Sequence, residues 1–138
     1  MTTLDSLIRL HRWQLDERRR HLADLDVLIH RLRGEQARLA SEQLDEQGVA
    51  SASLEAGTAY GAYARRLIER RRKLTDSIVS VEQQIAQARE ALAEAFQEVK
   101  RYEIAAASRA SQRNKQLARR EQAGIDEVAS EADRRRRS

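Results

Sequence analysis

YGAYARRLIERRRKLTDSIVSVEQQIAQAREALAEAFQEVKRYEIAA, residues 60–106, decides the fold. A marker placed alternately every four and three residues falls on Tyr60, Ala64, Leu67, Arg71, Leu74, Ile78, Val81, Ile85, Ala88, Leu92, Ala95, Val99, Tyr102 and Ala106. Thirteen of these fourteen are apolar or aromatic, so a 3.5-residue repeat persists over more than six heptads. A repeat of that period specifies the narrow seam of a coiled coil, because only a strict 3.5 spacing keeps one line of side chains facing a supercoiled partner.

A second seam lies upstream on Leu4, Ile8, His11, Leu15, Arg18, Leu22, Leu25, Ile29, Leu32, Gln36, Leu39 and Gln43, eight of them aliphatic. Thr2 and Asp5 have the spacing of a capping box, in which a hydroxyl and a carboxylate satisfy the orphan N–H groups of a helix start. Gly34 interrupts the pattern at a cost of up to about 1 kcal/mol without ending the helix. Between the seams, residues 45–61 lose the periodicity and hold three of the five glycines. Gly48 is expected to stop the first helix, and Ser51 or Ser53 to cap the second with Glu55 in its first turn.

The expected fold is therefore all-α: one coiled-coil domain over 1–138, an antiparallel two-helix hairpin with helix 1 about 3–45, a connection about 46–53 and helix 2 about 54–133. Pairing residues whose numbers total 103 sets Leu4 against Val99, Leu22 against Val81 and Ile29 against Leu74. The same register sets His11 against Leu92 and Arg18 against Ile85. Large residues then often face small ones. Helix 1 runs out near residue 102, so about 30 residues of helix 2, roughly 45 Å at 1.5 Å per residue, overhang with little to bury.

Composition agrees with uninterrupted helix. The 138 residues include no proline, no cysteine and five aromatic rings, and 35% are charged. Absent cysteine excludes disulfides and thiolate sites. The longest stretch free of Asp, Glu, Lys and Arg is 56–64, far short of the roughly 20 residues a membrane span needs. Asp5, Arg9 and Arg12 leave no room for an apolar signal segment. Net charge is −1 over 1–50, +1 over 51–100 and +4 over 101–138, where it ends in Arg134 to Arg137. Opposite charges also stand one turn apart, as in Asp16–Arg20, Glu69–Lys73 and Glu131–Arg135.

A two-helix hairpin has no concave, water-excluding pocket in which reactive groups could converge. His11, His21 and His30 share no helix face, which argues against a metal site. Gly57 and Gly61 lack the Lys-Ser/Thr and the preceding strand of a phosphate loop. No catalytic, cofactor or metal residue is expected, and no small-molecule substrate. Nucleic-acid binding has little support, with no basic region leading into a zipper and no stacking platform. The aromatic residues stand out instead. Tyr60, Tyr63 and Leu67 form an i, i+3, i+7 stripe, which either closes the end of the coiled coil or anchors a docked protein. Trp13 lies off the seam toward the other end.

Three segments resemble the FliJ family, coiled-coil components of the flagellar type III export apparatus: LIRLHRWQLDERRRHLADL (7–25), YGAYARRL (60–67) and KRYEIAAASRASQRNKQLARREQAGIDEVASEADRR (100–135). The related YscO-like stalk of virulence-type secretion shares the architecture. The resemblance implies a non-enzymatic, stalk-like coupling factor and general chaperone, cytoplasmic and peripheral to the inner membrane. Its implied partners are the hexameric export ATPase, the cytoplasmic domain of an FlhA-like export gate, and export chaperones. Carried over by position, Tyr60, Tyr63 and Leu67 would contact the gate. Trp13, Arg18, Arg19, Arg20, Arg119, Arg120, Arg134, Arg135, Arg136 and Arg137 would serve the ATPase end. The alternative is a basic scaffold, or a binder of nucleic acid or anionic membrane surface through the C-terminal arginines, marked by steep salt dependence.

Overall fold

A computed structural model describes residues 2–50 and 54–137, the side chains of residue 50 and of 54–58 excepted. It consists of two α-helices packed as an antiparallel hairpin, α1 (Thr3–Ala50) and α2 (Leu54–Arg137). The capping pair forms at the start of α1. Thr2 N donates to Asp5 Oδ2 at 3.2 Å and Asp5 N donates to Thr2 Oγ1 at 3.1 Å. Ser6 Oγ adds a bond to the Thr2 carbonyl at 3.4 Å.

Gly48 does not stop α1. It lies inside the helix, and no described glycine has a positive φ. Nothing forces a left-handed turn there, so the helix tolerates the propensity cost and continues. Ser51 and Ser53, expected as caps, lie outside the described residues.

The chain divides into two compact units. The first is Gln14–Ala95. Its core is the seam: Leu25, Ile29, Leu39, Leu67, Leu74, Ile78, Val81, Ile85 and Ala88 form one buried cluster, with Leu22, Leu32 and Tyr63 partly buried against it. Each full burial of such an aliphatic side chain favours folding by about 1.5–3 kcal/mol. Charged side chains flank the seam, as in the ion pair of Arg33 Nη2 with Glu82 Oε1 at 3.2 Å. Arg71, the one polar marker on α2, donates to Gln43 Oε1, itself a polar marker on α1.

The second unit is Met1–Trp13 with Phe96–Ser138. Ile8 and Val99 are its buried aliphatics. His11 stacks on Tyr102, and Glu103 takes ion pairs from Arg12 at 3.2 Å and Lys100 at 3.5 Å. From 107 to 137 every described residue is exposed. That stretch of 31 residues is about 46 Å of helix, and only its first turns run beside the start of α1, where Arg113 senses the Asp5 carboxylate.

The expected register is corrected. Arg12–Glu103, His11–Tyr102, Arg33–Glu82 and Arg71–Gln43 have residue numbers totalling 113 to 115, not 103. The offset is close to 11 residues, just over three full turns, so both apolar lines still face inward. What separates the two registers is the polar seam residues. At 103, His11 and Arg18 would each oppose an aliphatic. At about 114, His11 finds Tyr102 and Gln43 finds Arg71.

Candidate functional site

Tyr60 and Tyr63 sit one turn apart on α2, ring centroids 6.0 Å apart and planes tilted by 38°. Both are half-buried. Tyr63 packs against the core, and its hydroxyl is buried with no hydrogen-bond partner. Burial raises this phenol above its usual range. The Glu42 and Glu46 carboxylates push the same way, Glu42 approaching without completing a hydrogen bond, and Arg70 opposes them.

Leu67 is 2% exposed, a full member of the core. Of the two readings of the stripe, Leu67 fits closure of the coiled coil, being packed into the seam. It occupies a d-type seam position, where a knob enters the facing helix and α1 covers it. The accessible apolar side chain at this level is its neighbour Ile68, 59% exposed, together with Leu44 and Val49 on α1. Sequence reading passed over Ile68 because the marker fell on Leu67. The signal was an apolar residue directly beside an apolar marker.

In the unit holding the termini, Trp13 is 58% exposed. It stands two positions from both His11 and Leu15, on the outer face. Leu10, Phe96 and Ile104 are exposed as well, and Lys100 Nζ lies 5.4 Å from the centre of the Phe96 ring, within cation–π range. Phe96 was also missed, again beside a marker, Ala95. Glu103 is held below the usual carboxylate range. The Arg12 hydrogen bond is the main cause and Lys100 assists, while desolvation works against them.

The arginines assigned to the ATPase end are all on the surface. Arg18 is exposed despite its marker position. Arg19 pairs with Asp16 at 3.6 Å, and Arg20 with Glu17. In the C-terminal stretch Arg119 and Arg120 face solvent, Arg135 pairs with Glu131 at 3.9 Å and Arg137 with Asp133 at 3.4 Å.

Concavities among the described residues of the Gln14–Ala95 unit include open grooves of 270, 490 and 500 Å³. Leu32 lines the first two, with Leu39 and Leu74 in one and Leu28 and Val81 in the other. His30 lines the third with Val27 and donates from Nδ1 to the Asp26 carbonyl at 2.7 Å. Among the described residues no three His, Cys, Asp or Glu side chains converge as metal ligands. No helix among them is long and apolar enough to cross a membrane.

A hairpin that buries one apolar line along its seam and carries further aromatic and aliphatic side chains outside it is a coiled-coil-like helical protein. The family is definite: the chain belongs to the FliJ family, whose model, described as Flagellar FliJ protein, matches residues 1–138. Membership gives it a role related to flagellar protein export. No curated protein and no solved structure matches the chain.

Proposed function

We propose that this protein is a stalk-like coupling factor of flagellar export, linking the hexameric export ATPase to the cytoplasmic domain of the FlhA-like export gate and serving export chaperones. It acts without chemistry of its own, in the cytoplasm at the inner face of the inner membrane. The observation that carries the reading is the separation of roles among apolar side chains. The seam is filled, and His11, Gln43 and Arg71 among its polar members are partnered, while Ile68 and Trp13 are exposed and Tyr60 is half-exposed. Exposed aromatic side chains on a pre-formed helix dock with little ordering cost.

In this reading Tyr60 leads the gate contact with Tyr63 beside it, and Leu67 supports both from the core. Trp13, Arg18 to Arg20 and the arginines of the C-terminal stretch serve the ATPase. Co-purification with the cognate ATPase and gate domain tests it. Deleting residues 114–138 is expected to abolish ATPase association and spare the gate, and Tyr60→Ala the reverse. Retention of both partners by both variants would overturn the assignment.

A further inference from the structure

The exposed helix 107–137 carries its charge in blocks. From 104 to 120 there are five cations (Arg109, Arg113, Lys115, Arg119, Arg120) and no anion. From 121 to 133 there are five anions (Glu121, Asp126, Glu127, Glu131, Asp133) and no cation. Helical neighbours stand three or four residues apart, and nowhere in 104–130 do opposite charges have that spacing. Among the described residues, none of Arg113, Arg120, Glu121 and Glu127 forms an ion pair. Arg113 lies near enough to the Asp5 carboxylate of α1 to help hold it charged, and α2 itself supplies no opposite charge one turn away from any of the four.

The arrangement is its own complement when reversed. At 100° per residue, Arg113, Leu117, Arg120, Glu121, Gly124, Glu127 and Val128 lie within an arc of about 120°. The arc continues the face that Val99, Tyr102 and Ala106 present to α1. Running a second helix antiparallel, with a two-fold axis between residues 120 and 121, sets Leu117 against Gly124 and Arg120 level with Glu121, each twice, and brings Arg113, opposite Val128, within one residue of Glu127, about 1.5 Å along the axis. Gly124 has open space where a Cβ would stand and no positive φ, so nothing within the chain requires glycine there. An inclined crossing brings Leu117 over that gap and carries residues beyond 128 clear of the first turn of α1.

We propose that this face is a homodimer interface, whose partner is the same segment of a second copy of the chain. The contact is small and charged, so it forms reversibly at high protein concentration and low salt. It uses the arginines that the proposed ATPase contact also needs, so the two states exclude each other. The test requires only the purified chain and stands apart from any export assay.

Sedimentation equilibrium of the full chain should show a monomer–dimer equilibrium. Raising salt from about 50 mM to about 0.5 M should weaken it by about tenfold or more, because the screening length falls to a few ångströms. Two variants decide the geometry. Arg113→Glu with Arg120→Glu makes the face wholly acidic, and Glu121→Arg with Glu127→Arg makes it wholly basic. Each alone should be monomeric with unchanged helicity by circular dichroism, and the two mixed should form a heterodimer. A wild type that stays monomeric at low salt, a variant that still dimerises alone, or a mixture that does not associate would each overturn the proposal.

Discussion

His11 lies against Tyr102 with ring centroids 4.6 Å apart and planes 21° from parallel. Each ring sits at a marker position of its own helix, so the contact fixes which turn of α1 meets which turn of α2. Gln43 and Arg71 do the same within the other unit. Aliphatic contacts are interchangeable along a seam, whereas these pairs are not.

The first prediction concerns that alignment. The chain has no cysteine, so introduced pairs report cleanly. His11→Cys with Tyr102→Cys should form an intramolecular disulfide under mild oxidation. His11→Cys with Leu92→Cys should not, since the two Cα atoms would lie several turns apart. Bridging of the second pair alone would restore the shorter register.

Leu67 and Tyr60 should behave oppositely. Leu67→Ala opens a cavity in a seam position that is 2% exposed and should cost about 2–4 kcal/mol in thermal or urea unfolding. Tyr60→Ala removes a half-buried ring and should cost clearly less. Equal and small losses would move Leu67 out of the core.

Tyr63→Phe should leave the melting temperature unchanged or raise it, because the hydroxyl is buried without a hydrogen bond. A marked drop would mean that the hydroxyl has an acceptor, with Glu42 the one to examine by a second substitution.

Acid should loosen the unit that holds the termini. Asp5, bonded to Thr2, and Glu103, bonded to Arg12, both titrate below their ordinary values of 3.8 and 4.5. A depressed carboxylate stabilises the fold above its unfolded-state value, and the contribution disappears as pH falls through the lower folded value. Stability should therefore be flat from pH 7 to about 5 and decline below about 4.5. Arg12→Ala should bring the Glu103 titration, followed by carboxyl NMR, back toward 4.5. A decline already present at pH 6 would overturn the assignment to these two carboxylates.

Trp13 is the single tryptophan and is 58% exposed. Its emission in the free protein should be red-shifted and readily quenched by acrylamide. Binding of the export ATPase should blue-shift and protect it. Unaltered quenching in a complex shown by co-sedimentation would place the ATPase contact elsewhere.

Much of the fold could be read from spacing alone. The two apolar lines announced two helices, and Thr2 with Asp5 announced the start of the first. The register was not legible from the lines, because sliding one helix by 11 residues returns almost the same faces. It was carried by the polar exceptions: His11 needed Tyr102, and Gln43 needed Arg71. Gly48 misled because glycine is both a common stop and a tolerated interior residue, and only the backbone angle distinguishes them. For the candidate site, the pattern located the tyrosines but not which neighbour is exposed. Leu67 and Ile68 are adjacent in sequence and point 100° apart, one inward and one outward.

The near-equivalence of registers about 11 residues apart also governs how such a chain could change its length. Removing one residue from either arm would swing every inward side chain beyond that point away from the join. Losing or gaining seven or eleven would leave the lining intact and merely shift its studs to new sockets. Descendants of this sequence should therefore differ in span by whole repeats, with the histidine and glutamine studs moving in step with their opposite numbers.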